Sequence, residues 1–285
     1  MNLALAALFA GACCIALSPI WVRVSEVGPT ASAFWRVTLA VPLLWTLLAL
    51  SSPGRFRPDA RRIALLLAAG AAFAGDLAFW HWSIKLTSVA DSTLLANLAS
   101  IFVTLAAWIV WRQRPGGLFL VGLAAALAGT ALLVRASLAA SPTALLGDAL
   151  GVVTALFYAW YLMTVKSLRE RGVAALQLMA VSTTITAALL FPVALASGEA
   201  LLPRTGLGWL KLLGLAWISH AGGQGLIALA LAQLPAAFSS VGLLLQPVMA
   251  AALAWLLLGE PLAPLQVAGG AVVLAGIYLA RRGSA

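Results

Sequence analysis

The sequence predicts an all-α integral membrane protein, ten transmembrane helices arranged as two inverted five-helix repeats, and three observations lead there. First, 63% of the 285 residues are hydrophobic and only 9% are charged, with a mean hydropathy of +1.05; soluble domains carry about 25% charged residues. Second, apolar runs of roughly twenty residues recur along the chain, as in "VAALQLMAVSTTITAALLFPVALA". Such runs suit a membrane-crossing helix, and they lack the alternation of a barrel strand. Third, the second half of the chain echoes the first at a nearly constant offset.

Windows of about nineteen residues place the ten spans at roughly 3–23, 31–50, 63–85, 89–111, 117–134, 146–166, 174–196, 207–230, 236–258 and 263–280. The first holds Cys13 and Cys14, adjacent and therefore unable to staple distant elements. It lacks the basic leader of a cleaved signal peptide and is expected to remain as a span. The second carries Arg36, about six residues from its end, where a long side chain either snorkels to the surface or holds a substrate carboxylate. The third ends in "DLAFWHWSIK", residues 76–85. Asp76 lies about 20 Å along this helix, too deep for so short a side chain to reach water past lipid. It either lines a central cavity or bonds a neighbouring helix. Asp76, Trp80 and Ser83 share a helical face, whereas His81 points about 140° away from Asp76. His81 with one of Trp80 and Trp82 is expected to line the cavity, and the other tryptophan to join an interfacial belt.

The fourth span carries a polar stripe, Thr93, Asn97, Ser100 and Thr104, at helical spacing. It serves either as interhelical glue or as a ligand surface facing Gln246 and Pro247 of the ninth span. The sixth holds Tyr158 and Tyr161 beside Trp160, Thr154 and Thr164; the eighth holds His220 and Gln224, one turn apart, amid "AGGQG". Those glycines admit close backbone approach, for packing or for a substrate.

Loop charges set the orientation. Eleven basic residues follow even-numbered spans: Arg55, Arg57, Arg61, Arg62, Arg112, Arg114, Lys166, Arg169, Arg171, Arg281 and Arg282. Five lie on the other side: Arg23, Lys85, Arg135, Arg204 and Lys211. Retention of basic loops in the cytoplasm puts both termini there, and the net charge of +9 reads as topology rather than nucleic-acid binding.

The repeat is read from "GLAAALAG" at 122–129 and "GGAVVLAG" at 269–276, an offset of 147 that also maps Trp108 onto Trp255 and Gly75 onto Gly222. It divides the chain into halves 1–140 and 141–285 of one membrane domain. Five spans per copy is an odd number, so the second copy enters the membrane from the opposite face. Transporters built this way bind substrate near the midplane, between the repeats, and alternate access by rocking.

The segment "LLLQPVMAAALAWLLLGEPLAPLQVAGGAVVLAGIYL" at 243–279, with its partial echo "LLANLASIFVTLAAWIVWRQRPGGLFLVGLAAALAGTALL" at 94–133, resembles the drug/metabolite transporter superfamily, specifically its ten-helix EamA-type branch. In the echo, Arg112-Gln113-Arg114-Pro115 stands where the second copy has Gly259-Glu260-Pro261. The resemblance covers essentially the whole chain and implies export across a bacterial inner membrane, with aromatic amino acid exporters among the relatives. The expected function is export of small amphipathic metabolites, amino acids first, with proton-coupled efflux of drugs or quaternary cations as the alternative.

The candidate substrate-binding set is Trp80, His81, Asp76, Asn97, Ser100, Thr104, Tyr158, Tyr161, His220, Gln224 and Gln246. No cofactor, metal site or catalytic residue is expected. A His-Glu-x-x-His motif and a pair of deep aspartates are missing, and Ser219 and His220 are neighbours pointing apart, which argues against an intramembrane enzyme. The expected partners are a small-molecule substrate and the lipid bilayer. The oligomeric state stays open, a monomer being admissible.

Overall fold

Lipid leaves the backbone no partner but itself, and the regular elements among the described residues are accordingly all helical. The computed structural model describes residues 2–51, 59–86, 89–135, 144–259 and 262–284. Arg55, Arg57, the expected boundary at 140/141 and the Glu260-Pro261 pair lie outside the described residues, as do the side chains of Lys85 and Arg135.

In chain order the elements are α1 (Asn2–Ala16), α2 (Ser18–Arg23), α3 (Pro29–Thr38), α4 (Ala40–Leu50), α5 (Ala60–Leu86), α6 (Val89–Ala96), α7 (Ala99–Trp111), α8 (Gly117–Arg135), α9 (Ala144–Glu170), α10 (Ala175–Ala196), α11 (Gly206–Gly214), a π-helical stretch (Leu215–Gln224), α12 (Gly225–Ala230), α13 (Ala236–Gly242), α14 (Leu245–Leu258) and α15 (Pro264–Gly283). Among the described residues, eight helical runs are long and apolar enough to cross a membrane; two further apolar helices, Ala99–Val110 and Gly117–Leu132, are shorter. The first of these is short because the chain breaks its helix between α6 and α7, at Asn97-Leu98. Similar interruptions fall at Leu17, Leu39 and Leu243-Leu244.

The two glycine segments that match in sequence pack on each other, α8 against α15, running antiparallel. A Cβ on Gly129 would lie 2.7 Å from the Gly269 carbonyl oxygen, and one on Gly276 would lie 2.7 Å from that of Gly122. Backbones this close gain dispersion contacts that lipid tails do not offer, and only glycine permits them. The turns after the fourth and ninth spans correspond as well: Arg112 has φ 53° and Gly259, 147 positions later, has φ 67°. Arginine adopts this left-handed conformation less readily than glycine.

Two carboxylates tie the loops at one face. Glu26 accepts hydrogen bonds from the Arg204 and Thr205 amides at 2.8 and 3.0 Å and from the Thr205 hydroxyl, at the N-terminus of α11. Glu199 accepts from the Ala31 amide at 2.9 Å, in the first turn of α3. Helix N-termini favour negative charge, so each acid caps an element far from it in sequence. At the other face, Arg169 donates from Nε to the Ala228 carbonyl at 3.0 Å and also to the Val173 carbonyl, while Arg62 donates to the Arg171 carbonyl at 3.0 Å. Between the two faces, Leu8, Phe73, Leu77, Leu162, Leu178 and Val241 belong to one continuous buried core. Trp82, Trp108 and Trp255 remain exposed on the periphery.

Candidate functional site

A cavity of about 700 Å³, including the part open to solvent, lies among α1, α2, α3, α5, α6, α9, the π stretch and α14. Its lining comes mainly from the helix halves nearer the Glu26 face. The long uninterrupted α5 supplies Phe73, Asp76, Leu77 and Trp80, spaced 3, 1 and 3 residues apart and therefore on one helical face. Asp76 thus faces the cavity. Trp80 does too, while His81, only 1% exposed, turns into the protein, with Nδ1 2.5 Å from the Leu77 carbonyl oxygen and its ring edge-on to Trp80.

The polar stripe of the fourth span divides at the α6–α7 break. Thr93 and Asn97 line the cavity, whereas Ser100 and Thr104 are buried and donate to carbonyls of their own chain segment, Ser100 to Asn97 at 2.9 Å and Thr104 to Ser100 at 2.7 Å. In α9, Tyr158 lines the cavity beside Thr154. Tyr161 lies behind it, its ring 6.1 Å from that of Tyr158 and 4.7 Å from Phe73, its hydroxyl donating to Met179 Sδ at 3.8 Å.

The π stretch separates the two polar residues of the eighth span. Gln224 reaches the cavity, while His220 is buried behind it, its Nε2 2.9 Å from the Thr183 hydroxyl and its ring 5.3 Å from Phe73. In the ninth span the break before α14 leaves Gln246 and Pro247 on the cavity wall. Proline suits the start of a helix, where its missing N–H removes no helical bond. The side chains of Gln224 and Gln246 converge on the Tyr158 hydroxyl within hydrogen-bonding reach.

Of the eleven candidates, the structure brings together Trp80, Asp76, Asn97, Tyr158, Gln224 and Gln246 at the cavity, and sets His81, Ser100, Thr104, Tyr161 and His220 behind it. It adds Arg36, Ser18 and Phe73 to the wall. Arg36 is buried, with its guanidinium carbon 5.9 Å from the centroid of the Phe73 ring. The face spacing of Phe73 to Asp76 is a signal that could have found Phe73. Ser18 follows the break at Leu17, which has no marker beyond the Ser18-Pro19 pair.

Several buried polar atoms on this wall have no partner: Ser18 Oγ, Arg36 Nε, Asn97 Nδ2, Gln224 Oε1 and Gln246 Nε2. Native proteins seldom leave such groups unpaired, since each costs about 1–3 kcal/mol. The arrangement fits a ligand that both donates and accepts hydrogen bonds, next to aromatic surface from Trp80, Tyr158 and Phe73. Among the described residues no group of three His, Cys, Asp or Glu side chains is placed to hold a metal ion.

No curated protein matches the chain. Among solved structures 29 chains match, and one, described only as "Crystal structure of protein", is 16% identical at a TM-score of 0.85, over 99% of this chain and 98% of its own. At that identity the likeness concerns fold alone. The family profile of EamA-like transporters matches residues 2–135 and again residues 145–282, two copies that together take in every residue of the cavity wall. The chain belongs to the EamA-like transporter family.

Proposed function

We propose that this transporter exports small amphipathic metabolites, chiefly amino acids with aromatic or other bulky apolar side chains. It works by alternating access around the cavity between two inverted five-span halves. The observation that carries this reading is the cavity wall itself, where the unpartnered atoms Asn97 Nδ2, Gln224 Oε1 and Gln246 Nε2 adjoin the rings of Trp80, Tyr158 and Phe73. Such a wall matches a ligand with a polar head and an apolar body. The antiparallel pairing of the matched segments in α8 and α15 supports inversion, because a twofold axis in the membrane plane would bring equivalent helices together in this way. The excess of basic residues in alternate loops supports an inner-membrane orientation with both termini cytoplasmic.

The test is counterflow with purified protein in liposomes, against labelled amino acids, nucleosides, sugars and quaternary amines. Accumulation of aromatic or branched amino acids is expected; no signal for any amino acid overturns the proposal. A second reading, proton-coupled efflux of cations, draws on the position of Asp76 beside Trp80 and Tyr158, where a carboxylate could alternate between proton and cation. It predicts that Asp76→Asn abolishes quaternary-amine transport together with its pH dependence. Quaternary amines that fail to exchange with the unmodified protein rule it out.

A further inference from the structure

We propose that Arg36 and Asp76 act as a clamp for a zwitterion: the substrate's carboxylate seats on the Arg36 guanidinium and its ammonium on the Asp76 carboxylate. This rests on the transport reading above and narrows it, making α-amino acids the ligand class and excluding lone cations.

Arg36 sits in the last turn of α3, 4% exposed, with Nε unpartnered. Its guanidinium carbon lies 5.9 Å from the Phe73 ring centroid, and its Nε–H is available to an acceptor. Asp76 is 9% exposed and faces the same cavity. The two groups interact electrostatically, yet they form no ion pair within 4.0 Å. A buried guanidinium with no carboxylate in contact is an expensive arrangement, and pairing with Asp76 would offset part of the cost. A gap between them is what a ligand carrying both charges fills. A carboxylate takes two parallel N–H bonds from a guanidinium, and an ammonium donates to a carboxylate; both are strong charge-assisted pairs.

The same geometry selects by rejection. A bare cation would pair with Asp76 and leave the buried Arg36 uncompensated, and an anion would do the reverse. The other polar groups on the wall, the amides Asn97, Gln224 and Gln246 and the hydroxyls Ser18, Thr93, Thr154 and Tyr158, carry no formal charge that alters this balance. Trp80 and Tyr158 border the same space and offer aromatic surface to the substrate's side chain.

Equilibrium binding to purified protein tests the clamp with three probes: tryptophan, tryptamine, which lacks the carboxylate, and indole-3-propionate, which lacks the ammonium. The unmodified protein is expected to bind tryptophan roughly 10- to 100-fold more tightly than either truncated compound. Arg36→Gln should remove the advantage of tryptophan over tryptamine, and Asp76→Asn its advantage over indole-3-propionate. The second variant reads the same pair from the other side if the first does not fold. If the ratios survive in the variants while the unmodified protein still exchanges tryptophan in liposomes, the clamp is wrong and the transport reading stands. Absence of exchange for every amino acid removes the transport reading itself.

Discussion

Trp80 and His81 are adjacent in sequence and part company in the structure: one borders the cavity, the other is sealed behind it by a contact to its own helix. A 100° step per residue is enough to separate them. The same scale governs Glu26. The Thr205 hydroxyl, followed by the Thr205 and Arg204 amides and the nearby Lys211 charge, holds its carboxyl below the ordinary carboxylate range. A group whose value is lowered on folding stabilises the fold above its unfolded value, and that stabilisation fades as pH falls through the folded one. Glu26→Gln should therefore lower the thermal midpoint of the detergent-solubilised protein at neutral pH, with the difference from the unmodified protein shrinking in acid. A constant difference at all pH values would refute the ionic part of this cap.

Among the elements, α8 and α15 show how sequence identity becomes contact. Val in place of Gly276 would force its Cβ toward the Gly122 carbonyl oxygen, 2.7 Å away, and toward the Ala126 backbone, which has no room to yield. Overpacking of this kind costs about 1–3 kcal/mol. Gly276→Val is expected to lower the unfolding temperature clearly, whereas Gly117→Val, at a glycine with open space, should leave it nearly unchanged. The π stretch shows the opposite relation. Its counterpart at an offset of 147 is residues 68–77, which lie within the unbroken α5. Each π turn holds more residues than an α turn, so the repeats lose register here. Gln224, which matches Leu77 by sequence offset, shares the cavity wall with both Asp76 and Leu77.

For the whole molecule, closure is unequal at the two faces. Near the Arg171 turn, α13 packs against α7 and α9, and α12 packs against α9, with Arg169 joining α9 to the Ala228 carbonyl of α12. The cavity lies toward the other face. Under the proposed alternating access and export, the Arg169 contacts must break for substrate to enter past them from the Arg171 face. In a background with Cys13 and Cys14 replaced by alanine, Arg169→Ala should speed labelling of Ser239→Cys by a membrane-impermeant thiol reagent applied from the Arg171 face. The increase should be roughly 10-fold, the value of one charged hydrogen bond. Ser239 is fully buried on α13. An unchanged labelling rate would leave Arg169 a packing role only.

Helical class, the eight membrane-length runs and the repeat were legible because lipid allows few solutions: twenty apolar residues in a row have one use, and glycines recurring at an offset of 147 announce their equivalence. Asp76, Trp80, Asn97, Tyr158, Gln224 and Gln246 were legible as polar or amphipathic groups in apolar runs. Their separation from His81, Ser100, Thr104, Tyr161 and His220 was not, since every one of these satisfies the same compositional test. The sequence by itself determined a membrane-spanning bundle with a duplicated plan and a short set of polar residues inside it. Only the tertiary structure decided which of them meet. Among the described residues, four helix breaks and one π stretch rotate the side chains that follow them, and rotation about a helix axis depends on the packing of neighbouring helices, which no single span records.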